Sequence, residues 1–278
     1  MTETIGVVAA LLSAISQATA HALLAAGRDK LVIRGLIGLT GLVVAAPLTL
    51  WVPLPAGELW LWLLASGVLH AIYQLTLIRA YEGEDFSVAY PMARGVVPLA
   101  TAILGVSILG DRVSAMALFG VALVSFGLVF IAAERRPAYA GMVAAISAGL
   151  LTTAYTLLDA HAVRLSPNLW TFVVWFFVFE GIIMSAITVA IRGRLLLPAM
   201  RQELRPGLLA GFSSLINYST ALVALRLIPA GSASAIRETS IVFGAIIAGV
   251  FLKEHINSRR KLGIALVAVG GVGVALWR

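Results

Sequence analysis

The stretch RGVVPLATAILGVSILGDRVSAMALFGVALVSFG (residues 94–127) aligns without gaps with RETSIVFGAIIAGVFLKEHINSRRKLGIALVAVG (residues 237–270). Helices rich in alanine and valine also resemble one another by chance, but here basic and acidic positions coincide as well. An internal repeat decides the fold of a chain that contains one. The aligned pairs that support this repeat are Arg94 with Arg237, Asp111 with Glu254, Val113 with Ile256 and Gly120 with Gly263.

The composition is that of an integral membrane protein. Of 278 residues, 60% are hydrophobic and 12% are charged, with a mean hydropathy of +0.99, whereas soluble domains carry about 25% charged residues. The apolar runs have the length of about 20 residues that a helix needs to cross a bilayer, and they lack the alternation of barrel strands. We predict ten transmembrane helices near 4–26, 31–51, 59–79, 86–109, 113–133, 139–163, 168–191, 206–226, 231–252 and 260–277.

Ten helices divide into two halves of five, at residues 1–136 and 137–278. A short match supports the division, because GVVAA from Gly6 recurs as GMVAA from Gly141. Five is an odd number, so the second half enters the membrane from the opposite face. The sequence therefore predicts two inverted five-helix repeats around a central cavity near the membrane midplane.

The distribution of positive charge predicts the orientation. Loops after odd-numbered spans carry 14 of the 20 Lys and Arg residues, the termini and other loops carry four, and the remaining two are Arg94 and Arg237. Short basic loops mark the cytoplasmic side, which places both termini outside the cell. The net charge of +7 lies in these loops without the basic face of a nucleic-acid site, so no nucleic acid is expected as a partner.

The duplicated pattern resembles the EamA-type unit of the drug/metabolite transporter superfamily. Pro98 stands where that unit has its mid-helix proline, and the segments Gly110–Val113 and Lys253–Ile256 stand where it has an acidic residue before its last helix. Ile241 pairs with Pro98, so an equal kink is not expected in the ninth span. The resemblance covers the whole chain as two units, and it implies an inner-membrane carrier that exports amino acids or related metabolites.

Arg94 and Arg237 lie inside apolar stretches, where an ionisable residue marks a functional site by default. Arginine can hold a carboxylate with two hydrogen bonds, so we expect both to bind the solute, with Glu238 beside Arg237. The alternative is that each arginine neutralises a buried acid. Glu180, in the middle of TFVVWFFVFEGIIMSAITVA, is then either their counter-ion or a proton-carrying group.

Other polar side chains are predicted to line the pathway. Helical spacing groups several of them on single helix faces. The further predicted binding residues are His70, Tyr73, Gln74, Tyr90, Trp175, Asn217 and Tyr218. A stripe of Ser13, Gln17 and His21 on the first span faces Thr152, Thr156 and Asp159 on the sixth. Because His21 and Asp159 lie toward helix ends, we expect these two to anchor the protein at the membrane interface.

These observations predict a secondary transporter that exports amino acids, with aromatic or other apolar side chains favoured, by alternating access. Alternatives are a carrier of drugs or other metabolites, a membrane enzyme acting on lipid-linked substrates, and, disfavoured by the inverted repeat, a channel. No catalytic residue, cofactor or metal site is expected, and no ATP-binding loop is present. The expected partners are a small solute and the lipid bilayer, and no pattern assigns an oligomeric state.

Overall fold

A computed structural model describes residues 1–83, 86–133, 139–251 and 257–277. The acidic position Glu254, which the repeat pairs with Asp111, lies outside these ranges. The described residues form twelve α-helices, with a single turn of 3-10 helix, Gly193–Leu195, before the ninth. They are α1 Thr2–Ala26, α2 Lys30–Leu48, α3 Leu59–Gly83, α4 Phe86–Gly95, α5 Val97–Leu109, α6 Ala115–Ala132, α7 Tyr139–Leu165, α8 Leu169–Arg192, α9 Leu196–Leu227, α10 Ala230–Arg237, α11 Ser240–Phe251 and α12 Ser258–Leu276.

The helices have the length and apolarity of membrane-crossing segments. Seven stretches of the described residues meet both criteria, and the longest, Leu169–Leu227, covers α8 and α9 together. The eighth span was predicted too short, because α9 begins at Leu196 rather than near residue 206. The first turns of α9 contain charged residues, so the hydrogen-bonded helix extends beyond the apolar stretch from which the span was predicted. A multi-pass membrane protein follows from these helices.

Two of the predicted spans are each broken into two helices. Pro98, in the first turn of α5, follows a break at Val96, as expected of a residue that has no backbone N–H. The expectation that the ninth span lacks an equal break is wrong, since α10 ends at Arg237 and α11 begins at Ser240. The Thr239 hydroxyl donates to the carbonyl oxygen of Ile236 at 2.7 Å. A threonine side chain therefore bonds a carbonyl group at the end of α10, and this break occurs without a proline.

The main packing partners come from different halves of the chain. Helix α1 packs against α9 and α3 against α7, while α2 packs against α8 and α6 against α12. Glycines bring α6 and α12 together, because Gly120, Gly127, Gly263 and Gly270 let the two backbones touch. Small residues are the usual means of close helix contact in membranes.

A polar cluster fastens the α1–α2 turn to α8 and α9. The Asp29 carboxylate caps α2 at the backbone N–H of Val32 and accepts two hydrogen bonds from Arg192, at 2.8 and 2.9 Å. Burial alone raises the pKa of Asp29, but the Arg192 and backbone hydrogen bonds outweigh it, and the pKa is lower than usual. The buried Glu203 of α9 accepts the backbone N–H groups of Arg28 and Asp29.

The substitution Gly120→Val tests the α6–α12 contact. Its Cβ would lie 2.9 Å from the carbonyl oxygen of Gly270, so the helices must separate, and overpacking of this kind costs about 1–3 kcal/mol. We expect a lower melting temperature in detergent. Gly244→Ala is the matched control, because no atom lies within 4 Å of its Cβ position. Equal melting temperatures for Gly120→Val and the wild type would contradict this packing.

Candidate functional site

A cavity of about 60 Å³ lies among α1, α2, α3, α4, α7, α8, α9 and α10. Of the residues that the sequence analysis singled out, it brings together Arg94, Arg237, His70, Tyr73, Gln74, Asn217, Tyr218 and Glu180. Such a volume holds a few water molecules, so an amino acid needs a more open conformation. Both broken spans end a half-helix here, with Arg94 in the last turn of α4 and Arg237 as the last residue of α10.

Arg94 is paired with Glu238 across the two halves of the chain. The Arg94 Nη1 lies 3.1 Å from Glu238 Oε1, and both side chains are almost fully buried. The second carboxylate oxygen of Glu238 has no hydrogen-bond partner among the residues that the structure describes. The counter-ion of Arg94 is therefore Glu238 rather than Glu180, because the break after Arg237 turns Glu238 toward Arg94. Glu180 instead accepts a hydrogen bond from Gln74 Nε2 at 2.9 Å.

Arg237 is surrounded by neutral oxygen atoms. It donates to Ser13 Oγ at 2.9 Å, Gln17 Oε1 at 3.1 Å and Asn217 Oδ1 at 3.5 Å. It is 4% exposed, and within the described ranges no carboxylate lies within ion-pair distance of it. The C-terminal end of α10 carries partial negative charge that favours a cation there, but a buried guanidinium still gains most from a full negative charge.

The difference between the surroundings of Arg94 and Arg237 originates in the sequence. In the gap-free alignment Glu238 follows Arg237, whereas Gly95 follows Arg94. The Cβ of any other residue at position 95 would lie 2.9 Å from a methyl group of Val129, so an acidic side chain is poorly accommodated there. The second half therefore supplies a carboxylate to the arginine of the first half, whereas no carboxylate from the described residues of the first half pairs with Arg237.

Aromatic rings form much of the remaining cavity wall. Tyr73 and Tyr155 lie 5.1 Å apart between ring centroids, and Phe176 and Tyr218 lie 4.4 Å apart. Phe177 also lines the cavity. This wall offers an apolar surface opposite the charged groups.

Two aromatic residues predicted for the wall lie elsewhere. Trp175 packs edge-on against Trp60 at 5.1 Å and is not among the cavity residues. Tyr90 lies behind the wall, where its hydroxyl contacts Gln17 at 3.1 Å and Ser240 at 2.9 Å. Trp175 was assigned from its span alone, which does not determine the face on which a side chain points.

A polar cluster joins α3, α7 and α9 at one side of the cavity. His70 Nε2 lies 3.1 Å from Asp159 Oδ2 and 2.8 Å from the Tyr218 hydroxyl. Tyr218 and Ser66 both donate short hydrogen bonds to the Asp159 carboxylate. The expectation that Asp159 anchors the protein at the interface is wrong, because this side chain has no exposed surface. His21, expected at the interface too, is buried beside Tyr90 and lines the cavity.

Ser66 was not predicted from the sequence, and Asp159 was not recognised as a central residue. The available signal was the spacing on α3, since Ser66, His70 and Gln74 recur every four residues and form one stripe. Arg34, which lines the cavity from the first turns of α2, was also not predicted from the sequence. Its position near the start of the span made it resemble the other basic residues of the loops.

A second ion pair lies at the end of the bundle where α7, α9 and α10 meet. Arg164 Nη1 lies 2.6 Å from Asp111 Oδ1, and Arg164 also donates to the carbonyl oxygens of Leu225 and Ile228. Asp111 Oδ2 accepts the backbone N–H of Ala230 at 2.7 Å. This carboxylate caps the start of α10, so the half-helix that carries Arg237 is held at its other end by an acid from the first half.

The comparisons with known proteins identify the family. Residues 139–276 match the model of the EamA-like transporter family. The resemblance to that family is thereby confirmed, and the chain belongs to it. No curated protein matches the sequence. The fold is similar to one crystal structure, described only as that of a protein, with a TM-score of 0.70 at 17% identity over 100% of this chain and 99% of the other.

A membrane transporter of the drug/metabolite type follows from this family and from the apolar helices. The matched region covers the second half of the chain. At 17% identity the similar crystal structure supports the fold and carries no information on the solute.

The substitution Glu238→Gln tests the cross-half ion pair. It leaves the Arg94 guanidinium buried without a carboxylate, and removing one partner of a buried pair costs about 3–5 kcal/mol. We expect a large loss of thermal stability in detergent. The double variant Arg94→Met with Glu238→Met should recover most of it, because no uncompensated charge remains. Glu58→Gln, at an exposed position, is the control, and an equally small effect of both Gln substitutions would argue against the pair.

Proposed function

We propose that the protein is a secondary exporter of amino acids and that Arg237 binds their carboxylate. The carrying observation is a buried guanidinium that lines the cavity and, within the described part of the chain, donates its hydrogen bonds to neutral oxygens. A carboxylate that enters the cavity would supply the missing charge with charge-assisted hydrogen bonds. Arg94 contributes to the same site as a paired residue, because Glu238 already neutralises it.

The ammonium group of the amino acid is assigned to Gln74 and Glu180. Gln74 donates its amide N–H to Glu180, and its own carbonyl oxygen is buried without a hydrogen-bond partner in the described ranges. An ammonium group has three donors and no acceptor, so the Gln74 oxygen and the Glu180 carboxylate match its needs. Both residues line the cavity together with Arg237.

The aromatic wall favours an apolar or aromatic side chain on the solute. Tyr73, Tyr155, Phe176 and Phe177 line the same cavity as the charged groups. Aromatic rings stabilise one another in edge-on and offset arrangements. Other metabolites or drugs that carry a carboxylate and an apolar group are the alternative substrates, and they share the requirement for Arg237.

The proposed architecture is ten membrane spans in two inverted repeats, residues 1–136 and 137–278, each of the EamA type. In this arrangement α4 with α5 forms the fourth span, and α10 with α11 forms the ninth. Packing supports the proposal, because exchanging the halves converts the α1–α9 contact into the α3–α7 contact. The same exchange of halves leaves the α2–α8 and α6–α12 contacts unchanged. Such repeats place the solute between the halves and favour alternating access.

The substitution Arg237→Gln tests the carboxylate site. Losing a charge-assisted hydrogen bond costs about 1.5–3 kcal/mol, so the apparent affinity for labelled L-phenylalanine in proteoliposomes should fall about 10- to 150-fold. Phenylalanine amide, which lacks the carboxylate, should compete poorly with the wild type and about as well as phenylalanine with the variant. Arg259→Gln, at an exposed position beside Phe130, is the matched control.

Two further results decide between binding and structural roles of Arg237. The Gln variant should keep nearly the wild-type melting temperature, because no acidic partner is left behind. A large loss of stability without a change in amide discrimination would make Arg237 a structural residue. A variant that transports labelled L-amino acids with wild-type affinity would remove it from the site.

The proposed location is the inner membrane with both termini outside, from the asymmetry of loop charge. The chain has no cysteine, so single cysteines at positions 2 and 30 can be labelled without background. In intact spheroplasts an impermeant maleimide should react at position 2 and not at position 30. Labelling at 30 with protection at 2 would reverse the orientation.

A further inference from the structure

We propose that Asp159, His70 and Tyr218 form a proton-binding site that couples solute export to proton entry. The inference rests on the proposed amino-acid function. It assigns the proton to a cluster separate from Glu180, the residue that the sequence marked as a proton carrier. The cluster qualifies because it combines a buried acid, a buried imidazole and a hydroxyl that reaches the cavity.

The hydrogen bonds around Asp159 leave the cluster one positive charge short. Ser66 donates to one carboxylate oxygen, and Tyr218 donates to the other. Two hydroxyl donors stabilise an ionised carboxylate but bring no charge. A buried carboxylate without a counter-ion is strongly unfavourable, so the cluster favours one added proton on the imidazole ring of His70, whose Nε2 lies 3.1 Å from Asp159 Oδ2 and donates to it.

The proton has a route between the cluster and the cavity. Asp159 is fully buried, but His70 and Tyr218 both line the cavity and contact each other at 2.8 Å. A proton arriving in cavity water binds the imidazole of His70, and Asp159 compensates its charge. When the cavity faces the other side, the proton leaves the imidazole to water, and neutral His70 remains hydrogen-bonded to the carboxylate.

The same position connects the proton to the solute. His70 and Gln74 are four residues apart on α3 and therefore adjacent on one face. The proposed ammonium site at Gln74 and Glu180 is thus one helical turn from the imidazole. The cluster is net negative without the added proton and neutral with it, so protonation removes a charge that attracts a nearby ammonium group, and proton and solute compete. Competition in one cavity is the condition for exchange of solute against proton.

The charged surroundings of the cluster support this assignment. The pair Arg164–Asp111 lies further along α7 and is internally balanced, as is Arg94 with Glu238. No carboxylate other than Asp159 lies within ion-pair distance of His70 among the described residues. The other titratable side chains that line the cavity in the described part of the chain are His21 on α1, Arg34 on α2, Tyr73 on α3, Tyr155 on α7, Glu180 on α8 and Arg237 on α10.

The test uses proteoliposomes that contain the full-length protein and labelled L-phenylalanine. In the wild type an acidic interior should accelerate uptake, and uptake should make the interior more alkaline as read by trapped pyranine. With Asp159→Asn or His70→Gln, the pH gradient should lose its effect. Exchange of labelled for unlabelled phenylalanine requires no net proton movement, so it should persist at a reduced rate. His161→Asn, at an exposed position of α7 beside Trp62, is the matched control with coupling intact.

Binding measurements give a second readout. Competition with one proton weakens the apparent affinity for phenylalanine as the pH falls, by up to about tenfold per pH unit. This slope should disappear in Asp159→Asn, whereas a merely structural role lowers affinity equally at every pH. If Glu180→Gln abolishes the effect of the gradient and Asp159→Asn retains it, Glu180 carries the proton and the proposal is overturned. Wild-type transport of phenylalanine without any proton movement overturns it as well.

Failure of the amino-acid assignment can be distinguished from failure of the proton site. If no labelled L-amino acid is transported by the wild type, infrared spectra of the purified protein in nanodiscs still test the cluster. An imidazole or carboxylic-acid band that changes with pH is expected in the wild type. It should be absent from both the Asp159→Asn and the His70→Gln variants. A spectrum that is identical in the wild type and both variants refutes the site independently of any solute.

Discussion

The burial of two guanidinium ions, one of which has a carboxylate at ion-pair distance among the described residues, is the constraint on which the centre of this molecule depends. Arg94 and Arg237 are each 4% exposed, in a region where a cation requires a partner or a water-filled space. Glu238 neutralises Arg94 directly, at 3.1 Å. The partners come from different halves of the chain, so the ion pair also fixes one half against the other. Arg237 keeps its charge available, surrounded by hydroxyl and amide oxygens.

The broken spans make this arrangement possible. A continuous helix would place Arg237 and Glu238 about 100° apart on one cylinder, with all central backbone groups bonded internally. The break at Glu238 and Thr239 instead gives α10 its own C-terminal end beside Arg237. Asp111 caps the opposite end at Ala230. An acid at the N-terminal end and a base at the C-terminal end both match the helix dipole, so a helix of eight residues is stabilised at each end by charge.

Part of this site could be predicted from the sequence, and the reasons for the successes and failures are physical. Charged residues in apolar stretches, such as Arg94 and Arg237, stand out because membrane burial makes them rare. The pairing of Arg94 with Glu238 could not be predicted by projecting the residues on a helical wheel, because the helix is interrupted at Glu238. Asp159 was misjudged because its depth was counted from the helix end, which ignores the neighbouring helices that enclose it. The family match and the apolar helices bear out the class of protein, whereas the solute depends on side-chain geometry that spacing does not provide.

In the proposed inverted-repeat architecture, the difference between Gly95 and Glu238 explains how a symmetric framework can hold an asymmetric solute. If both halves carried the acid, each arginine would be neutralised across the interface and the cavity would offer no net attraction to a carboxylate. If neither carried it, two uncompensated cations would lie together in a small space and repel each other. One acid for these two arginines leaves Arg237 without a carboxylate partner among the described residues on the side of α1 and α9, while Gln74 and Glu180 come from α3 and α8. Under the proposed function, the carboxylate and ammonium groups of one amino acid match these two unlike sides, so orientation of the solute follows from the loss of exact symmetry between the halves.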